Sequence, residues 1–461
     1  MPMNPTPPIT RYAERRERLR QLMLAQTQGK PAVAIIFTAP EVMRNRDADY
    51  PYRHDSYFYY LSGFTEPQAC LVIRTHAPDG QQHHLFCRAK NEEREIWDGY
   101  RFGPDQAQQS FGLDQAHTIE TLDQQLPGWL ANQQAVFYAL GSDIDLDQRV
   151  QGWLDQVRQQ SRAGVSAPHT LFDVRTLLDE MRLFKDADEI ALMQRAADIS
   201  VAAHRRAMEL TRPGLFEYQI EASLLHTFRY HGASAPAYGS IVASGAHACV
   251  LHYRNNDACL QAGDLLLIDA GCEFGSYAAD ITRTFPINGR FSPAQRELYE
   301  IVLAAQSAAI AATYPGQPFN APHDAALEVL ISGLLSLGLL QGTVPEILAN
   351  GAYRQFYMHR TSHWLGMDVH DCGEYRAAAT DDQSERPWRA LAPGMVLTIE
   401  PGLYVRPHPN VPERYWNIGI RIEDDVLVTA TGCDVMTAAA PKTVADIESL
   451  MQAASTAAAL P

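Results

Sequence analysis

The most constraining feature of this chain is an order of elements that runs twice between residues 186 and 428. Asp186 followed by Glu189 has the form of a capping box, and Ile190, Met193 and Ala197 fall on one helical face. That helix should stop near TRPG. A second, with Phe216, Ile220, Leu224 and Phe228 spaced four apart, should end at His231-Gly232. The strand-like segments LLLIDAG and DITRTFPI follow. Then the order restarts. Ser292-Pro293-Ala294-Gln295 supplies a cap, a proline in the first turn and a glutamine three residues on. That helix should run to YPGQP, and Leu327, Leu330 and Leu334 mark another that ends near Gly338. MVLTIEPGLY and IGIRIEDDVLV close the set as strands. Helix, helix, strands, stated twice, predicts a structural duplication of about 120 residues per half, carried by pattern and not by identity.

Each half sets two acids into strand-like segments where apolar side chains belong. Asp269 ends LLLID and Asp280 opens DITRTF; Glu400 stands in LTIEPG and Glu423 in IRIED. Side chains alternate along a strand, so Leu265, Leu267 and Asp269 share one face, while Ile418, Ile420 and Ile422 share the face opposite Arg421 and Glu423. A charge within an apolar strand is costly unless it is paired or bound to metal. Taken singly, an Asp at a strand end is more often a turn former, and Arg421 beside Glu423 also fits a plain cross-strand ion pair. Convergence favours metal. Four carboxylates brought together by the two halves carry a charge of −4, which one arginine cannot neutralise and two divalent cations can. A histidine would complete the set, and His363 in SHWLG is the candidate. Oxygen-rich ligation with one imidazole suits Mn²⁺, Mg²⁺ or Co²⁺, and Zn²⁺ accepts it too, so the metal's identity stays open. His204 and His226, single histidines on helices, receive no role.

With 461 residues the chain exceeds one typical core, and two domains are expected. Upstream of the duplication AVAIIF, YFYYLSGF, ACLVIR, HLFCR and AVFYALG read as strands and DLDQRVQGWLDQVRQQ as a helix. The alternation predicts an α/β domain over residues 9–172, with the duplicated domain over 173–450. No run approaches the roughly 20 apolar residues of a membrane span. The opening MPMNPTPPITRYAERRERLR lacks the apolar centre of a secretory signal, which makes the cytoplasm the expected location. The seven cysteines (Cys70, Cys87, Cys249, Cys259, Cys272, Cys372, Cys433) are scattered without a CxxC pair, which reads as reduced thiols. A formal charge of −16 disfavours nucleic acid as a partner.

Longer motifs now add to this reading. MRLFK, GLFEY, SIVASGAHACVLHY, LLLIDAGCEFGSYAADITRTFP, HWLGMDVHD, PGMVLTIEPGLY and GIRIEDD resemble the aminopeptidase P group of the pita-bread metallopeptidases, relatives of prolidase and methionine aminopeptidase. RNRDADYPYRHDSYFYYLSGFTEP and REIWDG resemble that group's amino-terminal domain. The fold implied is an amino-terminal α/β domain followed by a duplicated α+β pita-bread catalytic domain. The resemblance implies metal ligation by Asp269, Asp280, His363, Glu400 and Glu423, with Asp280 and Glu423 bridging two divalent ions, Mn²⁺ first among the choices. Asp269 would hold one ion, and His363 and Glu400 the other. It implies supporting roles for His252, His359 and His370, and a homo-oligomer, commonly a dimer or tetramer. Two departures stand out: Arg360, where a small residue is usual after the equivalent of His359, and a longer stretch AAATDDQSERPWRALAPG. Arg360 has three open roles, namely contact with substrate, pairing with an acid, or pointing away.

The activity expected is removal of the amino-terminal residue from peptides whose second residue is proline. A water bridging two cations would become the hydroxide nucleophile, with Glu400 taking its proton and His252 or His359 stabilising the oxyanion. Arg421 belongs with this catalytic set. The proline nitrogen, tertiary in the peptide, needs no acceptor and gains from a ring-lined slot, for which Tyr238, Tyr375 and Trp97 (from a neighbouring subunit) are candidates. Prolidase activity on Xaa-Pro dipeptides is the nearest alternative, with Arg360 or another arginine receiving the free carboxylate. A non-catalytic pita-bread binding protein is the alternative from another class.

Overall fold

The structure is a computed structural model that describes residues 8–378 and 385–458. The chain divides into two compact units, one ending at Met181 and the other beginning at Arg182. The expected partition at residues 172 and 173 falls nine residues before that division.

The amino-terminal unit is built on a six-stranded mixed sheet. Its order is Gln115–Thr118, His83–Cys87, Cys70–Arg74, Ala32–Phe37, Ala135–Phe137 and Thr170–Phe172. AVAIIF is central, antiparallel to Cys70–Arg74 and parallel to Ala135–Phe137, which explains a run that is apolar on both faces. One face packs Val33, Ile35, Val72, Phe86 and Val136 against Leu126 and Leu130 and against Trp153 and Val157 of the helix Ile144–Arg158. One expectation fails here. YFYYLSGF is not a strand; its residues lie in the helix Ser56–Ser62 and the turn after it. Asp55 accepts a hydrogen bond from the Phe58 N–H at 2.8 Å, and Gly63, at φ 67°, closes the helix in the left-handed conformation. These two caps override the β-preference of a Tyr/Phe-rich run.

In the second unit the duplication is plain. The first half opens with helices Ala187–Leu210 and Glu217–Tyr230, the second with Pro293–Ala311 and Ala321–Ser336. The Asp186/Glu189 and Ser292/Gln295 capping boxes both form. Behind the first pair lies a sheet ordered Ile241–Ser244, Leu265–Asp269, Thr282–Pro286. Behind the second lie the sheet Val396–Ile399, Asp424–Val428, Cys433–Val435 and the pair Gly402–Val405 with Ile418–Arg421. The longer segments read from the sequence are thus broken in the second half. Glu400 and Glu423 fall in the breaks between strands, not within them. All seven cysteines are free, and no helix of the described residues is long and apolar enough to cross a membrane.

Candidate metal centre

The strand register brings the first two acids together. Asp269 ends its strand opposite Thr282, and Asp280 lies just before that partner. A hairpin of Cys272–Phe274 and Tyr277–Ala278 joins them, and its two arms approach closely: a Cβ on Gly271 would collide with the Ala279 carbonyl. The Tyr238 hydroxyl lies 2.7 Å from Asp269 Oδ1 and 2.5 Å from Asp280 Oδ1, so its one proton serves both carboxylates. Asp269 Oδ2 accepts from Arg421 at 2.6 Å. The Asp280 backbone N–H donates to the buried Asp425 carboxylate at 3.1 Å. Glu423 comes from the other half and accepts from the Thr282 hydroxyl at 2.6 Å.

Histidine geometry fixes the protons. His363 Nδ1 faces the Trp364 carbonyl at 2.9 Å; a carbonyl only accepts, so Nδ1 carries the hydrogen. This leaves Nε2 aimed inward, 3.5 Å from Asp280 Oδ2 and 3.8 Å from Glu400 Oε1. A backbone-anchored imidazole whose Nε2 faces carboxylates is the usual form of a metal-binding histidine, the metal taking the place of the Nε2 proton. Ligand atoms of Asp280, His363 and Glu423 all lie within 4.8 Å of one another, close enough to share one ion. His359 is engaged at both nitrogens, with the Arg360 carbonyl at 2.7 Å and the Tyr404 hydroxyl at 2.8 Å. Among the described residues no hydrogen bond engages the His252 ring.

The electrostatics show more negative charge than the protein can settle alone. Burial and the neighbouring carboxylates raise Glu423 well above the carboxylate range and Glu400 to about 7. Burial also raises Asp269, against the pull of Arg421. Burial opposes the charge on His363, yet its contact with Asp280 and the charge of Glu400 outweigh that and hold it up at about 9. Burial and Arg421 push His359 down to about 3, which keeps it neutral. A pocket that draws protons onto His363, Glu400 and Glu423 is one whose charge a divalent cation satisfies. The donor set, four carboxylates and one imidazole presenting Nε2, fits hard divalent ions.

These groups line a cavity of about 700 Å³ together with Leu251, Phe319, Tyr375 and Trp388. The sequence matches the metallopeptidase family M24 over residues 191–430 and the aminopeptidase P amino-terminal domain over residues 12–138. It is 46% identical over 439 residues to the Xaa-Pro aminopeptidase of Escherichia coli (strain K12), covering 95% of this chain and 97% of that one. The chain belongs to the aminopeptidase P family. Among solved structures, the Pseudomonas aeruginosa aminopeptidase PepP is similar at TM-score 0.93 and 48% identity, covering 98% of this chain and 100% of that one. Xaa-Pro aminopeptidase 3 of Homo sapiens is 33% identical over 96% of this chain and 86% of its own. The pita-bread fold and the metallopeptidase class expected from the sequence therefore stand.

Within this aminopeptidase P fold, the cavity lining includes His252, Asp269, Asp280, His359, His363, His370, Tyr375, Glu400, Arg421 and Glu423. Two candidates lie elsewhere. Tyr238 is turned to the carboxylates and is not part of the lining, and Trp97, in the helix Glu92–Asp98 of the amino-terminal unit, is 80% exposed. Several supporting residues were passed over in the sequence. His204 is fully buried, and its Nε2 lies 2.8 Å from the carbonyl of Ala270, next to Asp269. Thr282 and Tyr404 link Arg421 to Glu423 and His359. Glu217, also fully buried, accepts from Ser244, Tyr253 and Ala258 and so ties down the segment that carries His252. Asp371, beside His370, is held by Arg182 at 2.6 Å and Lys185 at 2.9 Å. A polar residue inside an apolar pattern was the available signal for His204 and Glu217. For the threonine and tyrosine there was none.

Proposed function

We infer that this chain is an Xaa-Pro aminopeptidase, acting on peptides with proline in second position through two divalent ions, with Mn²⁺ the expected metal. The observation that carries the reading is the cluster of Asp269, Asp280, His363, Glu400 and Glu423 on the cavity floor. Support comes from the Xaa-Pro aminopeptidases, such as that of Escherichia coli, to which the chain is similar along almost its whole length. Those residues would hold the ions, which when bound supply Lewis-acid charge and acidify water for attack on an amide.

The chain's own residues then divide the work. Glu400, in the cavity lining and without a hydrogen bond to its carboxylate among the described residues, suits the carriage of a proton from the attacking water to the leaving nitrogen. Of the two histidines considered for the oxyanion, His252 is the better candidate, because both nitrogens of His359 are already engaged. Arg421 and Tyr404 orient Asp269 and His359. Tyr375, against Phe319 at 4.7 Å, offers a ring wall for proline, while Tyr238 suits the holding of Asp269 and Asp280 instead. Trp97, exposed on its own unit, suits a contribution to the pocket of a second copy in a homo-oligomer.

The test is hydrolysis of an Xaa-Pro-Yaa tripeptide after chelation and again after addition of Mn²⁺, with an Xaa-Pro dipeptide and an Xaa-Ala-Yaa control. Metal-restored release of the first residue from the proline tripeptide alone is expected. Activity confined to the dipeptide would move the assignment to prolidase. Silence toward all of them would leave a binding protein.

A further inference from the structure

The floor of the cavity is anionic, yet one wall is cationic. Arg360 and Arg376 both line the cavity, and both stand against Trp388. The Arg376 guanidinium lies 3.5 Å from the centre of the Trp388 ring and that of Arg360 lies 5.2 Å from it. Strand-like pairing of Arg376 with Trp388 fixes the backbone on which this contact sits. Phe319 and Tyr375 continue the aromatic surface inward, with ring centres 4.7 Å apart.

Among the described residues neither cation is neutralised. Arg360 donates to the Asn320 side-chain oxygen at 2.8 Å and Arg376 to the Arg386 carbonyl at 2.9 Å, both uncharged acceptors. Among the described residues neither has a carboxylate within ion-pair distance. The nearby Glu374 is taken by Arg386 at 2.8 Å. In a chain of net charge −16, two arginines on a cavity wall without an anionic partner among the described residues suit an external one. Stacking on an indole engages the face of a guanidinium and leaves its N–H edge free, the edge that binds a carboxylate with paired hydrogen bonds.

We propose that Arg360 and Arg376, set against Trp388, form a carboxylate-binding subsite for the part of the substrate that follows proline. This rests on the Xaa-Pro aminopeptidase reading. The scissile bond must lie at the carboxylates and His363, and the aromatic surface of Tyr375 and Phe319 runs from there to the arginines. The group received is therefore beyond the proline ring. Two sources share the chemistry: the terminal carboxylate of a short peptide and the acidic side chain of a longer one. The subsite makes the enzyme a trimmer of short or acidic Xaa-Pro peptides.

The experiment uses the Mn²⁺-loaded full chain. kcat/KM is compared for Ala-Pro-Ala against its carboxamide, for Ala-Pro-Glu-amide against Ala-Pro-Gln-amide, and for Ala-Pro-Lys-amide. An anionic member of a pair is expected to be favoured about fivefold to tenfold, mainly through KM, with the lysine peptide lowest. The first pair reports the terminal carboxylate and the second the acidic side chain. In the Arg360→Gln/Arg376→Gln double variant the ratio within each pair should fall to about 1, a readout that cancels any general loss of activity. Equal rates within both pairs, or ratios unchanged in the double variant, would overturn the subsite. Calorimetric titration with Pro-Glu-amide and Pro-Gln-amide separates this proposal from the activity on which it rests. A carboxylate preference in binding without turnover of any Xaa-Pro peptide would sink the activity and keep the subsite; turnover with no preference would sink the subsite alone.

Discussion

The two halves of the duplicated unit each contribute a pair of acids, but they hold them differently. In the first half both aspartates are pinned: Asp269 by Tyr238 and Arg421, Asp280 by Tyr238 through its side chain and by Asp425 through its backbone. In the second half Glu423 has the Thr282 hydroxyl, whereas among the described residues Glu400 has imidazoles at 3.8 Å and no hydrogen bond to its carboxylate. The consequence appears in proton affinity. Burial pushes Asp280 up, but His363 and Tyr238 hold it below the ordinary value, whereas Glu400 rises to about 7. The two halves thus supply matching positions, with both aspartates of one pair hydrogen-bonded and Glu400 of the other without a hydrogen bond to its carboxylate among the described residues.

Removal of the ions is the largest perturbation available to this contrast, since it leaves both halves without the charge they converge on. Chelation should lower peptide hydrolysis by at least about a thousandfold, with recovery on adding Mn²⁺. Undiminished turnover in chelator would end the metal reading of both halves. Next comes the contrast itself. Glu400→Gln should lower kcat at saturating Mn²⁺ by about 10²- to 10⁴-fold while the circular dichroism and Tm stay unchanged. A variant that lost metal affinity but kept its kcat at saturating Mn²⁺ would leave Glu400 a ligand with no part in proton transfer.

Tyr238→Phe should act on the first half, weakening metal affinity by about tenfold to a hundredfold with a smaller effect on kcat once metal is restored. If kcat fell instead at saturating metal, Tyr238 would belong to the reaction and the aspartates would need another support. The smallest effect concerns Asp425, whose carboxyl burial raises well above the ordinary range. An acid with a folded-state pKa above its unfolded value contributes most below the unfolded value of about 4, and that contribution is lost as pH rises. Asp425→Asn cannot ionise, so its Tm advantage over the native chain should grow from pH 4 upward to about 2–4 °C, the shift that about 1 kcal/mol gives in a domain of this size. A constant or inverted difference across pH would show that Asp425 is charged in the fold.

How far the sequence reached can be judged residue by residue. The capping boxes at Asp186 and Ser292 and the helix ends at Gly232 and Gly338 were legible because caps and periodicity are local. The acids Asp269, Asp280, Glu400 and Glu423 were legible because charge inside an apolar run breaks the pattern of a core. YFYYLSGF is a helix against its aromatic content: in the sequence pattern the five ring and branched residues at 57–61 outweigh the Asp55 and Gly63 caps, which decide the fold. Part of the long stretch AAATDDQSERPWRALAPG, residues 379–384, lies outside the described residues.

The sequence by itself determined the duplication, the carboxylate and imidazole donors, and the class of metal that such donors suit. Only the tertiary structure decided which acid is pinned and which is free, and that Arg360 turns to the cavity wall beside Trp388. Those outcomes rest on partners far apart along the chain, such as Tyr238 with Asp280 or Thr282 with Glu423. A hydroxyl at one position carries no mark of the carboxylate it will meet, because the meeting is made by strand register and by the approach of the two halves.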